Sequence, residues 1–373
     1  MKKQIRVMIA DDSPFVCRLL SNYLNSAADF EVVGTAFNGR SAVDRVRRLR
    51  PDAVTMDLEM PEMDGLEALR QIMQECPTPV VVISGVSGKA ATRTLQALDL
   101  GAVDFVLKYA PGATLDPMEL RHEIIAKVRA ASRIRVIRLL QGRHLRTAAP
   151  APPVPAVPRV EEQDREAGRA EVHAALAGGL IVIGASTGGP LALRELLSGI
   201  PGDYPAAIVI VQHMPASFTG VLATQLGRHV ALDVREAEDG DLLRPGLALV
   251  AQGGLHLLLR PGLRVALRQG PAVGGHCPSI DVTMESAAQI YGSRVKGVVL
   301  TGMGDDGAMG LTAIRAKGGT TFAQDGESCI VNGMPLRAIE RGVVDFIAPP
   351  WQIAQMLIRD SVRAERNACV AQV

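Results

Sequence analysis

Strand-type apolar runs alternate with helically spaced segments on both sides of a proline-rich stretch, and this pattern leaves the chain few folds to choose from. The first half carries IRVMIA, EVVGTA, AVTMD, PVVVIS and AVDFVL, separated by segments such as FVCRLLSNYL and GLEALRQIM. Five such βα units predict an α/β domain with a doubly wound, five-stranded parallel sheet. Its last helix is expected from about Pro117 to Leu140. Ala148 to Val160 reads AAPAPPVPAVPRV, and the EEQDREAGRAEV that follows is charged without an apolar face. Neither piece can bury a core, so the stretch reads as a linker. The alternation then resumes with GLIVIGAS, AAIVIVQH and KGVVLTGMG around a β-rich patch, LALVAQGGLHLLLRPGLRVAL. This predicts a second α/β domain with a mainly parallel sheet and a β-hairpin. The expected division is a first domain over 3–122, a helix end and Pro/Ala-rich linker over 123–175, and a second domain over 176–365. No repeat of solenoid period is visible.

Composition limits the partners. The chain has 373 residues, 47% of them hydrophobic, which is enough for two cores. Its 40 Lys and Arg against 39 Asp and Glu leave a net charge of +1, so bulk charge offers no attraction to nucleic acid or to an anionic membrane. No apolar run is long enough to span a bilayer, and the opening MKKQIRVMIADDS meets an acidic pair too early for a secretory signal. A cytoplasmic protein is expected, without membrane insertion. The five cysteines are scattered and form no CxxC, so they read as free thiols rather than as a disulfide or zinc framework.

In an open parallel sheet, chemistry gathers beyond the carboxyl ends of the strands. Asp11 and Asp12 close the first strand, Asp57 the third, Ser84 the fourth and Lys108 the fifth. Three converging carboxylates repel one another unless a hard divalent cation joins them, and Mg²⁺ with retained waters meets that need. Lys108 adds a positive charge and Ser84 a hydroxyl, a set suited to holding a phosphoryl group bonded to a carboxylate. Any one of these acids alone would read as a cap or a solvated turn. In order, DDS, DLEMPEMDG, ISG and DFVLK resemble the receiver domain of bacterial response regulators, over about residues 3 to 125. The resemblance implies that Asp57 is the phosphoacceptor. It also implies that Asp11, Asp12, Asp57 and the backbone carbonyl of Glu59 surround Mg²⁺, and that Ser84, Phe105 and Lys108 form the switch. Tyr109 stands where that family usually has proline after the lysine.

The second half offers a nucleophile. LIVIGASTGGPLALREL passes from an apolar strand through glycines into a helix, and Gly184-Ala185-Ser186-Thr187-Gly188 fits G-x-S-x-G. In a nucleophile elbow, small flanking residues let a tight turn present the serine hydroxyl at a strand end. A dinucleotide loop would want glycine at Ser186, and a P-loop would want a lysine after the turn. By itself the motif fits an ordinary strand-to-helix turn equally well. The next strand adds His213 at its end, and GVVLTGMGDDGAMGL brings Asp305 and Asp306 to another glycine-rich turn, whose backbone N–H groups suit an oxyanion hole. His213 would take the Ser186 proton and return it to the leaving group, while an aspartate fixes the imidazole tautomer. The order Ser, His, Asp differs from the Ser, Asp, His of α/β-hydrolases. His276, in the loop GGHCPSIDV ahead of a helix that Ser279 or Asp281 caps, is the rival base. His122, His144, His173, His229 and His256 read as structural or solvated.

Together, IGASTGGP, VQHMPASFT, HCPSIDV and LTGMGDDGA resemble the catalytic domain of the chemotaxis protein-glutamate methylesterases, the CheB family. With the receiver and linker in front, the resemblance covers nearly the whole chain. It implies a serine hydrolase triad of Ser186, His213 and Asp306, with the backbone N–H groups of Thr187 and Met303 as oxyanion donors and no cofactor in the hydrolase domain. The family commonly has GMGND where this chain has GMGDD, which leaves Asp305 and Asp306 side by side as orienting acid. Cys277 replaces a residue that is often basic. The implied activity is hydrolysis of glutamate γ-methyl esters on methyl-accepting chemoreceptors, with release of methanol and with glutamine deamidation in many members. It serves chemotaxis adaptation and is activated when the chemotaxis histidine kinase phosphorylates Asp57. An unphosphorylated receiver packed over the hydrolase site, and a monomer, are part of the same expectation. Two other classes compete. A DNA-binding output lacks a basic recognition helix here, and a non-catalytic receptor scaffold would have no use for the three triad residues.

Overall fold

A computed structural model describes residues 4–108, 117–134 and 179–370, without the side chains of 362–370. Tyr109, His144, His173 and the stretch from Ala148 to Val160 lie outside the described residues. The chain divides into two compact units, Met1–Ala148 and Ala149–Val373.

In the first unit, strands β1 (Ile5–Ala10), β2 (Phe30–Ala36), β3 (Ala53–Asp57), β4 (Val80–Ser84) and β5 (Asp104–Leu107) form one sheet in the order β2-β1-β3-β4-β5. All pairings are parallel. Helices α1 (Pro14–Asn25), α2 (Gly39–Leu49), α3 (Gly65–Glu75), α4 (Gly88–Leu100) and α5 (Pro117–Ala131) connect and cover the strands. Ser13, Asn38, Asp64 and Ser87 start the first four, each side chain accepting a backbone N–H of the first turn. Helix α5 ends at Ala131; of the stretch expected to carry it on to Leu140, residues 135–140 lie outside the described residues. The N–H groups of Arg133 and Ile134 turn to the carbonyls of Ala130 and Ala131 three residues back, which tightens the last turn and ends it. The strand order reverses between β1 and β3, so the crevice at the switch point lies where Asp11 and Asp57 emerge.

The second unit holds β6 (Leu180–Ala185), β7 (Ala207–Gln212), β8 (Asp233–Glu236), β9 (Leu247–Val250), β10 (His256–Arg260), β11 (Arg264–Arg268), β12 (Val295–Val299), β13 (Thr320–Gln324) and β14 (Phe346–Ala348). Seven of these strands form a parallel sheet in the order β14-β13-β12-β6-β7-β9-β8. The β-rich patch divides. LALV joins this sheet as β9, and only β10 and β11 form the antiparallel hairpin, with His256 opposite Arg268 and Arg260 opposite Arg264. LALV is buried on both faces, which suits a position inside a parallel sheet rather than a hairpin arm. Helices α6 (Gly189–Leu197), α7 (Ala216–His229), α8 (Ile280–Tyr291), α9 (Ala308–Ala316), α10 (Met334–Glu340) and α11 (Pro350–Val370) complete the unit. Among the described residues, no helix is long and apolar enough to cross a membrane.

The core places α8 directly on the sheet. Leu180, Val182 and Val209 from the strands meet Ile280 and Met284 from the helix, all fully buried. Each such side chain contributes roughly 1.5–3 kcal/mol of burial. Gly184 permits the approach, because a Cβ there would fall 2.4 Å from Ile280 Cγ2. The start of α8 therefore sits beneath the end of β6, where the chain turns at Ser186.

Candidate functional site

Each unit gathers its sequence-marked residues at the switch point of its own sheet. In the first, the carboxylates of Asp11, Asp12 and Asp57 offer oxygens within 4.8 Å of one another. Asp11 and Asp57 are buried and Asp12 lies exposed at the mouth. Lys108 reaches in, with Nζ 2.8 Å from Asp11 Oδ2 and paired also with Asp57 Oδ2. Burial pushes the Asp11 carboxyl above its ordinary range in spite of that ammonium. Burial alone would depress Lys108, but its bonds to Asp11 and Asp57 and their charges raise it. Three carboxylates against one ammonium leave net negative charge in an all-oxygen donor set, which fits a hard dication such as Mg²⁺. Glu59 donates its backbone N–H to Asp57 Oδ1 at 3.2 Å. The Ser84 hydroxyl turns toward α4, 2.5 Å from Thr94 Oγ1. Phe105 is buried, with Lys127 Nζ 5.3 Å from its ring centroid and 2.6 Å from its carbonyl.

In the second unit, β6 lies at the centre of the sheet, with β7 on one side and β12 on the other. Ser186 leaves this strand end into α6 through Gly188, whose φ of 76° is a left-handed turn that glycine adopts without strain. The Ser186 N–H donates to Thr301 O at 3.0 Å, and its carbonyl accepts from Gly189 N at 2.8 Å. From β7, the buried Gln212 donates through Nε2 to Ser186 O at 2.9 Å and lies 3.2 Å from His213 O. Thr301 is itself held, its N–H donating to Gln324 Oε1 at 2.8 Å and its hydroxyl lying 3.0 Å from Thr187 O. A Cβ on Gly302 would stand 2.8 Å from Ser186 Cβ, so the loop after β12 presses against the serine. The backbone N–H groups of Thr187 and Met303 meet no acceptor among the described residues.

Strands β6 and β7 pair with Ala185 opposite Gln212, which sets Ser186 and His213 side by side beyond the strand ends. His213 Nε2 lies 2.8 Å from Asp306 Oδ2. The same carboxylate accepts from Ile280 N at 2.8 Å, Asp281 N at 2.9 Å and Ser279 Oγ at 3.0 Å. Four donors fill the lone-pair sites of one carboxylate, and two of them are the first N–H groups of α8. Burial alone would raise the Asp306 pKa, but the His213 bond and these N–H groups lower it to about 2. An ionised Asp306 can only accept, so His213 Nε2 is the donor, and in the neutral tautomer Nδ1 carries the lone pair. Nδ1 is buried and has no hydrogen-bond partner. The ring is thus turned end for end relative to the usual Ser-His-Asp arrangement, in which Nε2 faces the serine.

Asp281 returns the cap. Its Oδ1 accepts from Gly307 N at 2.8 Å and Gly310 N at 2.6 Å, at the start of α9, so each helix start is closed by the acid of the other. Burial, with the nearby Asp306 charge and against the two N–H bonds, raises the Asp281 pKa from 3.8 to about 6. Between those values the folded chain holds a proton that the unfolded chain releases, so this group's contribution to stability falls as pH rises through that window. Asp281→Asn keeps an acceptor and removes the titration. The wild-type melting temperature of this unit is therefore expected to decline from about pH 4 to 6 relative to the variant. Parallel profiles in a pH series of thermal melts would refute this.

The comparisons with known proteins agree with this architecture. The CheB methylesterase family model matches residues 181–357, and the response regulator receiver domain model matches residues 7–118. A protein-glutamate methylesterase/protein-glutamine glutaminase of Symbiobacterium thermophilum is 42% identical over 363 residues, covering 96% of this chain and 98% of its own. The chain belongs to the CheB methylesterase family. A CheB-family relative of Pseudomonas putida, a protein-glutamate methylesterase/protein-glutamine glutaminase of group 1 operon, is 40% identical over 368 residues, covering 96% of this chain and all of its own length (100%). The crystal structure of the Thermotoga maritima CheB methylesterase catalytic domain aligns with 49% of this chain and 98% of its own, at 42% identity and a TM-score of 0.48.

Within this CheB-family domain the two adjacent acids part ways. Asp306 is the acid bonded to His213, while the exposed Asp305 bears on His276 through its charge. His276 does not stand apart as a second base. Its ring stacks on His213, centroids 3.8 Å apart and planes 10° from parallel. Ser279 caps α8 through its own hydroxyl as well as bonding Asp306. Gln212 and Thr301 were not anticipated as supports of the site. The available signal was the polar residue that closes each otherwise apolar run, AIVIVQ and VVLT.

Proposed function

We propose that this chain hydrolyses glutamate γ-methyl esters on methyl-accepting chemoreceptors, and deamidates receptor glutamines, under control of phosphorylation at Asp57. The observation that carries the hydrolase reading is His213: one ring nitrogen is bonded to a carboxylate held ionised, the other is buried without a hydrogen-bond partner, and the strand register sets the residue beside Ser186. The names of the relatives supply the protein-glutamate ester and the protein glutamine, and the resemblance of the motifs supplies the chemoreceptor.

In this reading the Ser186 hydroxyl attacks the ester carbonyl and gives its proton to His213 Nδ1. The oxyanion meets the N–H groups of Thr187 and Met303. Collapse expels the methoxy group, which takes the proton from His213 and leaves as methanol. Water then repeats the sequence on the acyl-serine and releases the glutamate carboxylate. A glutamine follows the same course with ammonia as leaving group. Asp306 keeps the proton on Nε2 and offsets the imidazolium charge. His213 and Asp306 thus form a triad with Ser186.

In the receiver unit, Asp57 accepts a phosphoryl group from a histidine kinase. Asp11, Asp12, Asp57 and the Glu59 carbonyl would hold Mg²⁺, which when bound neutralises the transferred phosphoryl oxygens. Lys108 stands ready to pair with one of those oxygens, and Ser84, released from Thr94, with another. Asp57→Asn in the full chain is expected to abolish the rise in methanol release that a small phosphodonor with Mg²⁺ produces. Chelating the Mg²⁺ should do the same to the unaltered chain. A persistent rise in the variant would place control elsewhere.

A further inference from the structure

The stacked pair of imidazoles has a role that the triad alone does not require. His213 is tied through Nε2 only, so the bond to Asp306 is a pivot about which the ring can tilt. The loop that carries His276 is fixed on several sides. His276 and Val273 exchange backbone hydrogen bonds at 3.0 Å, and Gly254 N donates to Cys277 O at 3.0 Å. Two residues on, Ser279 donates its N–H to His256 Nδ1 at 3.3 Å and its hydroxyl to Asp306. The second ring is therefore held flat against the first by the segment that also orients the acid.

Resting on the hydrolase reading above, we propose that His276 is a positioning residue for the reaction. Stacked as a neutral imidazole, it holds the plane of His213 while Nδ1 exchanges its proton with Ser186, and its ring face supports the positive charge that His213 gains. Three groups facing it decide its own charge. Burial and then the neighbouring His213, at the end of β7, lower its pKa from the ordinary 6.5, against the opposing pull of Asp306 and Asp305 in the loop before α9. At neutral pH it is uncharged. As pH falls, a proton on His276 sets a cation against the face of the ring that must become cationic, which slows the reaction on the acid side.

The test uses the full chain with a phosphodonor and Mg²⁺, and follows covalent labelling of Ser186 by a fluorophosphonate probe from pH 5 to 8. In that step the Ser186 oxygen bonds to phosphorus, fluoride departs and His213 takes the hydroxyl proton. His276→Ala, which removes the stacked ring, is expected to slow labelling at pH 8 by roughly 2- to 10-fold. His276→Phe keeps a flat face without a titrating group. It should restore the pH 8 rate and make the acid limb shallower than in the wild type. Alanine as fast as wild type, phenylalanine as slow as alanine, or one acid limb shared by all three would overturn the inference. Absence of Ser186 labelling in the wild type would overturn the hydrolase reading itself, a result distinct from those three.

Discussion

Ser186→Ala is expected to release no measurable methanol from methylated receptor while the hydrolase unit stays folded. The two outcomes separate because the contacts that hold this residue run through its backbone. Its N–H on Thr301 and its carbonyl under Gly189 and Gln212 survive the change, and the alanine Cβ already has its place. What disappears is the oxygen that attacks. Removing the nucleophile of a serine hydrolase costs on the order of 10⁶-fold in kcat, with a residue of activity left to the oxyanion donors and to binding. Methanol release by wild type and variant, alongside their circular dichroism and melting curves, checks both halves. Undiminished release would mean that the serine mechanism is wrong.

Asp306→Asn should cost less than loss of the nucleophile but still roughly 10³- to 10⁴-fold in kcat, because an amide at this position no longer holds the proton on Nε2 of His213. Here stability falls as well. The carboxylate serves His213, Ser279, Ile280 and Asp281 together, and an asparagine brings one acceptor oxygen to those four donors. Each buried donor left without a partner costs about 1–3 kcal/mol. Asp305→Asn is the control. It is exposed and is not the acid bonded to His213, so it should change stability by no more than about 0.5 kcal/mol and leave most of kcat intact. Kinetics and denaturant unfolding on the two variants distinguish them, and a larger kcat loss at Asp305 would contradict the assignment.

Much of the site was legible because strand ends are legible. A run such as AAIVIVQH announces both a buried strand and the residue that leaves it, and consecutive parallel strands tend to lie side by side, which is how Ser186 meets His213. The choice between Asp305 and Asp306 was not legible in the same way. Neighbours in one glycine-rich turn share the same local signal, and the decision is made by the N-terminus of α8, a distant segment whose N–H groups single out Asp306. LALV posed a similar problem, since its apolar run shows that it is buried but not which strand it pairs with, and it joined the parallel sheet beside β7. Stacking of His276 on His213 left no trace in spacing, because it depends on the path of a loop through space. The end of α5 at Ala131 was missed for the opposite reason: helical spacing continues in the sequence beyond the point where the hydrogen bonds tighten.

The central claim is that a phosphoacceptor unit governs a serine methylesterase in one chain, and methanol release tests it most directly. The full chain is mixed with chemoreceptor whose helix glutamates carry γ-methyl esters, with and without a small phosphodonor and Mg²⁺, and released methanol is measured over time. Release that depends on the receptor and rises when the phosphodonor is present is the expected result. No methanol from any methylated receptor under either condition, by a chain shown to be folded, would contradict it.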